Sequence, residues 1–385
     1  MDGQLVRLTA ADYEEALDFM NMVFSMNRRP ANFLTGLPIM WERDDEHMGK
    51  HWAVKREGRI RAMLGVYPLP VVIAGMKLLF STVGNVCTSR YEEGKGYMAA
   101  LMALAMEELE RQGMDASRLG GLRHRYTRFG YEAAGSVYHF TLTQHNLLRV
   151  PVDTAGIAFR RIEENDAEAL DFARSLFEKQ GIAVVRPGRT GFYKTLRAWQ
   201  NTPYLALNAQ RQPIGYLTAG KDGVAEQDAV SPEALVVLLA AWLEQQQLEA
   251  LRFTLSPWQR REAIACEKIC EDWFISSPCR YKIIHWAEVL DALMQLKASV
   301  TRLPQGEFVL NIQGYGNLEL AVTSAGAHCA KTDRAAEMRV DPLTATRLLC
   351  GPAPAFFAAE LPMEKSLLLN SWLPLPLGWN TLDRV

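Results

Sequence analysis

The window Val86-Cys-Thr-Ser-Arg-Tyr-Glu-Glu-Gly-Lys-Gly-Tyr-Met-Ala-Ala-Leu-Met102 joins an apolar extended segment to a helical one through a charged turn carrying Gly94 and Gly96. Backbone N–H groups at the start of a helix attract anions, and glycines leave those groups uncovered. The pattern suits a diphosphate, and it equally suits an ordinary strand-to-helix turn. Downstream, Arg125-Tyr-Thr-Arg-Phe-Gly-Tyr131 places an aromatic and glycine turn after a strand. Tyr126, protonated at neutral pH, can act there as a general acid or simply pack beside Phe129 and Tyr131.

Other chemistries are poorly served. No G-x-S-x-G elbow and no H-E-x-x-H helix occurs in the sequence. Cys266, Cys270, Cys279 and His285 are metal-ligating types at no standard zinc spacing, so no metal is expected. Asp44, Asp45 and Glu46 could line the entry of a cationic substrate or form a solvated acidic run.

Composition narrows the class. The 385 residues exceed one ordinary core, and 49% hydrophobic with 22% charged residues is globular composition, which excludes global disorder. Forty-two Lys and Arg balance 44 Asp and Glu to a net charge of −2, which offers nucleic acid or anionic lipid no global basic field. The acidic N-terminal segment lacks a basic start and apolar core, apolar stretches are short or broken by Pro68 and Pro70, and six scattered cysteines suit a reducing compartment. The expectation is a cytoplasmic protein without structural disulfides.

Periodicity arranges these residues on an α+β framework. A strand at 4–8, a helix with Ala16, Phe19, Met20 and Phe24 on one face, strands at 51–56, 60–67 and 76–88, a helix at 96–112 and short strands at 119–122 and 136–142 predict a first domain. A similar order follows: strand 157–161, helix 166–180, strands near 204–208 and 213–219, helix 232–247 and strand 250–254. From Trp286 a helix, strands at 306–312 and 318–323 and a helix at 342–349 predict a third, smaller unit. The prolines and large apolar residues from Trp372 through Trp379 to Leu382 predict a docked tail.

Taken together, the window 86–102 and the Tyr126–Tyr131 turn resemble the acetyl-CoA and Y-x-x-x-G-[FY] motifs of the GNAT N-acetyltransferase superfamily. The whole-chain layout is similar to the enhanced intracellular survival (Eis) class. The resemblance implies tandem GNAT-like mixed-sheet domains at 1–148 and 149–285, the second degenerate, and a sterol-carrier-protein-like α+β domain at 286–385. It implies acetyl-CoA as co-substrate without a metal, with Glu93, Gly94, Lys95, Gly96, Tyr97 and Met98 around the diphosphate and Val86, Cys87 and Thr88 along the pantetheine arm. Glu93 stands where the motif has Gln or Arg, Arg90 where it often has Pro, and Met98 replaces a second small residue, while Arg90 and Lys95 supply positive charge.

The resemblance further implies Tyr126 as acid and the carboxylate of Val385, at the end of the tail, as base. It implies transfer to a primary amine of a small molecule or peptide (an aminoglycoside, a polyamine or a lysine side chain) by direct attack, in a homo-oligomer of hexameric type. The competing expectation is a binding or scaffold protein in which Glu93 has cost the first domain its cofactor and the C-terminal lobe holds an apolar ligand.

Overall fold

The computed structural model describes residues 2–27, 30–221, 223–353, 361–378 and 381–383. The first stretch contains strands β1 (Gln4–Arg7), β2 (His51–Arg56), β3 (Arg59–Ile73), β4 (Met76–Thr88), β5 (Ala116–Leu119), β6 (Glu132–Ala134) and β7 (Val137–Thr143). Its helices are α1 (Tyr13–Asn27), α2 (Phe33–Gly36), α3 (Asp45–Met48), α4 (Tyr97–Arg111), α5 (Arg123–Tyr126) and α6 (Gln144–Arg149). The second stretch adds β8 (Ala158–Arg161), β9 (Ile182–Val184), β10 (Thr202–Leu207), β11 (Pro213–Gly220), β12 (Gly223–Ala229), β13 (Ala250–Leu255), β14 (Asp272–Ser276) and β15 (Cys279–Ile283). With these come α7 (Ala167–Phe177), α8 (Gly188–Leu196), α9 (Pro232–Gln245) and α10 (Arg260–Glu267). The last stretch holds α11 (Trp286–Val300), β16 (Gly306–Ile312), β17 (Gly316–Thr323), β18 (Gly326–Lys331), β19 (Met338–Val340), α12 (Pro342–Cys350) and α13 (Met363–Trp372).

Alternation of apolar and polar residues foretells most of these strands but not their partners. β15 lies between β5 and β6 in the N-terminal sheet, while β7 lies between β13 and β14. The first two stretches thus exchange strands, so their sheets cannot separate without breaking ladders. A shared apolar cluster adds to this, joining Phe19, Phe33 and Cys87 to Leu170, Phe192, Leu205 and Leu382. The last stretch is tied in as well: α11 and the β16–β18 sheet share a core with Val71, Ile73, Phe80 and Ala116. β5 comes at 116–119, earlier than the expected strand at 119–122, because Gly120 and Gly121 break the extended run and Gly121 takes φ +103°.

β4 is the pivotal strand. It pairs in parallel with β5 only from Phe80 to Val83, opposite Ala116 to Leu119, and then runs on to Thr88 against β3 alone. Where they part, Asn85 and Val86 oppose the single residue Leu64, a bulge made possible by Asn85 at φ +56°. A buried chain of hydrogen bonds holds the bulge: the Asn85 side-chain amide donates to the Tyr67 hydroxyl, which reaches His51 Nε2 at 2.8 Å, while His51 Nδ1 faces the Met48 carbonyl at 3.3 Å. His51 is wholly buried, and burial pushes its pKa down to about 4.

Between pH 6.5 and 4 the unfolded chain therefore binds a proton at His51 that the native chain refuses, so this residue's contribution falls as pH falls, by about 3 kcal/mol in all. Asp228, pushed up to about 7 by burial, acts in the opposite sense, since the native state holds its proton as pH drops. Urea unfolding of the wild type and a His51→Gln variant from pH 7 to 4.5 isolates the first effect: the wild type should lose stability relative to the variant across that range. A constant difference between the two would contradict the assignment.

Candidate functional site

At the end of β4 a short 3-10 turn, Arg90–Glu92, leads through Glu93, Gly94 and Lys95 to α4, whose N-cap is Gly96. Gly94 and Gly96 adopt φ +81° and +80°, the left-handed region that glycine enters without penalty, and a Cβ on either would point into open space. The first turn of α4 carries no acidic residue, so its free N–H groups present an unopposed positive end. Burial separates the two neighbouring acids of this turn. Glu93 is exposed, whereas the adjacent Glu92 is 3% exposed and is held by Arg56 at 3.1 Å and Lys95 Nζ at 2.7 Å. Those hydrogen bonds, from Lys95 first and then the Arg56 charge, keep the Glu92 carboxyl below its ordinary range. The Lys95 ammonium thus serves the loop.

Tyr97 turns its ring into the core, with its hydroxyl donating to Asp2 at 2.5 Å, and Met98 is half-buried. Both side chains lie away from the turn's open face, which leaves their backbone as the part available to an anion. Along β4, Val86 packs toward α4 and Cys87 toward α1, with Thr88 half-buried. Burial raises the Cys87 thiol, which rules out a ready thiolate at neutral pH.

Tyr126, at the end of α5, is 8% exposed and belongs to the cluster containing Val83 and Leu119, the last β4–β5 pair before the strands part. Burial raises its pKa, so it holds its proton at neutral pH. Gly121 makes room for it: a Cβ there would sit 3.1 Å from the Tyr126 ring. Tyr131, by contrast, is fully buried and hydrogen-bonded to Ser117 at 2.8 Å, a packing role.

The tail reaches the same neighbourhood. Leu375 and Leu377 are buried, and the Leu377 carbonyl accepts from Ser136 N at 3.0 Å. Asp383 is gripped by Arg186, whose Nε and Nη2 lie 2.9 and 2.8 Å from its carboxylate, and its carbonyl accepts from Arg118 of β5 at 3.3 Å. Arg186 also forks onto Glu226 at 2.9 and 2.6 Å and lies 3.8 Å from the centre of the Phe177 ring. Burial alone would discharge Arg186, but the Asp383 and Glu226 carboxylates hold it charged well above its ordinary range. Trp379 and Val385 lie outside the described residues.

The acidic run near α3 is spent on structure: Asp44 caps α3 through His47 N at 2.7 Å and Asp45 accepts from Ala10 N at 2.8 Å. Glu42, Asp44 and His47 are close enough to share a cation, although Lys194 already holds Glu42 at 2.6 Å. Spacing in the sequence carries no signal for Asp2, Arg56, Arg118, Arg186 or Glu226, because each meets its partner only through the folded sheets. Among the described residues, no helix is long and apolar enough to cross a membrane.

Residues 4–134 match the family described as the acetyltransferase (GNAT) domain. No curated protein matches the chain. The fold is shared with a GCN5-related N-acetyltransferase from Kribbella flavida (TM-score 0.69, 19% identity, 100% of this chain and 98% of that one). It is also shared with one from Anabaena variabilis ATCC 29413 (0.68, 14%, 100% and 100%) and with Eis1 from Mycobacterium abscessus (0.65, 17%, 98% and 98%). The chain thus carries a GNAT domain, and its enzyme class is that of a GNAT-type N-acetyltransferase.

Replacing Arg186 with Met strips two buried carboxylates of their counter-charge, which should cost about 3–5 kcal/mol in urea unfolding. Asp383→Asn, which keeps a hydrogen-bonding group, should cost distinctly less; equal losses would show that the ion pairs contribute nothing beyond packing.

Proposed function

We propose that the protein transfers an acetyl group from acetyl-CoA to a primary amine of a small molecule or peptide, within an Eis-like architecture. The observation that carries this reading is the parting of β4 from β5 after Val83, with the glycine turn and the N-terminus of α4 at the open end. An extended pantetheine arm needs a strand edge with unpaired amides, and Gly84 to Thr88 supply one; a diphosphate needs uncovered N–H groups, and the Gly94–Met98 turn supplies them. Acetyl-CoA contributes the activated thioester. The groups assigned to it are the backbone of Val86, Cys87 and Thr88 and of the turn from Glu93 through Lys95, Gly96 and Tyr97 to Met98.

In the proposed reaction the neutral amine attacks the carbonyl carbon, the C–S bond breaks, and Tyr126 gives its proton to the departing sulfur. An ammonium cannot attack, so a base must take its proton, and that part is assigned to the carboxylate of Val385. The clamp on Asp383, two positions earlier, supports this because it fixes the tail beside β5. The same reading divides the chain into GNAT-like units at 1–148 and 149–285 and a sterol-carrier-protein-like unit at 286–385, assembled as a homo-hexamer.

Release of free thiol from acetyl-CoA in the presence of spermidine, kanamycin or a lysine peptide tests the proposal. At least one amine should accelerate release, and Tyr126→Phe should lower kcat by about 10²–10⁴-fold with little change in the KM for acetyl-CoA. Amine-independent thiol levels throughout would overturn the activity, and a wild-type kcat in Tyr126→Phe would remove that residue from the mechanism.

A further inference from the structure

A cavity of about 680 Å³ lies between β12 and the β13-β7-β14 sheet, away from the glycine turn and Tyr126. Its floor is one face of that sheet, where the registers align Thr254, His139 and Phe274 in one row and Arg252, Thr141 and Asp272 in the next. The alternate residues Phe140 and Phe253 point the other way, into the apolar core beneath α9. The start of β12, Lys221, Trp199 and Leu382 close the other side.

Two features mark this cavity as built for a ligand. The first is its wet aromatic surface. Trp199 is 45% exposed and Phe274 54% exposed, although both line a concave space and Phe274 stacks on His139 with ring centres 4.4 Å apart. Trp199 and Gln200 both sit at positive φ, +58° and +61°, a conformation disfavoured for such side chains, and Trp199 is braced edge-on by Phe33 at 6.3 Å.

The second feature is charge. Arg252 and Lys221 line the cavity without an ion pair among the described residues. Asp272 sits two strands from Arg252 in the same row of the floor and makes no ion pair with it among the described residues. Among the described lining residues, two cations and one carboxylate leave a net charge of +1, which matches a monoanion, and the planar guanidinium fork of Arg252 matches a carboxylate.

We propose that this cavity binds a small aromatic carboxylate, its ring against Trp199 and Phe274 and its head on Arg252 and Lys221. Asp272, at the far side of the floor, is placed to accept a hydrogen bond from a donor on the ring. None of the residues assigned to acetyl-CoA lines the cavity, and Leu382 is where it meets the tail.

Calorimetric titration of the full chain with indole-3-acetate, and with tryptamine as the cationic counterpart on the same ring, tests the proposal. Indole-3-acetate should bind saturably, more tightly than tryptamine or inorganic phosphate, and with the same affinity when acetyl-CoA is in excess. Arg252→Gln and Trp199→Ala should each weaken it by about tenfold or more, with Arg252→Gln melting as the wild type does because its side chain is exposed. Absence of saturable heat, tryptamine or phosphate binding as tightly, displacement by acetyl-CoA, or unchanged affinity in Arg252→Gln would each overturn it.

Discussion

After Val83 and Leu119, β4 and β5 stop sharing hydrogen bonds, and everything around the candidate active site follows from that parting. A strand buried in a sheet interior normally has both edges satisfied, because an unpaired buried amide costs free energy. From Gly84 to Thr88 β4 no longer pairs with β5, and this is the edge assigned above to the extended arm of the proposed ligand. The bulge at Asn85 bends the strand, and the Asn85, Tyr67 and His51 hydrogen bonds hold the bend from beneath. Holding it with neutral groups makes the support sensitive to acid at His51 and indifferent to salt.

The rest of the architecture fixes the strands on either side of that parting. The exchange of β7 and β15 between sheets fixes the first two stretches as one body, and the shared core under α11 attaches the third. The tail then crosses from the third stretch to β5, where Arg186 and Arg118 fasten Asp383. A buried guanidinium between two carboxylates is a poor source of stability compared with apolar packing, but it specifies one position for the chain.

Much of this was legible in the sequence, for identifiable reasons. Apolar, β-branched runs located β3 and β4, which are buried on both faces from Ala62 to Tyr67 and from Phe80 to Asn85, and helical spacing located α1 and α4, whose apolar residues gather on one face. The glycines at 94 and 96 were legible as a turn because only glycine takes their φ freely. The strand exchange was not legible: β15, Cys-Arg-Tyr-Lys-Ile, reads as an ordinary alternating strand, and nothing local says that it belongs beside β5. The burial of Glu92 was not legible for the same cause. Glu93 looked like the charge that matters to the turn, whereas Glu92 is the one the fold buries, beside Arg56 brought from β2. Likewise α8 and β12 carried too little periodicity to be expected, although they supply the strand and turns that hold Arg186 and Glu226 around the tail.

Thermal melting with and without acetyl-CoA, on the wild type and on Gly96→Val, bears most directly on the claim that the parted β4 edge and the glycine turn form an acyl-CoA site. A ligand at 100 times its dissociation constant stabilises the native state by about 2.7 kcal/mol, so the wild type should melt at clearly higher temperature with acetyl-CoA. The valine variant, forced toward a φ it resists and covering the N–H groups, should lose most of that shift. A wild-type melting temperature unmoved by saturating acetyl-CoA, or an equal shift in both proteins, would contradict the account.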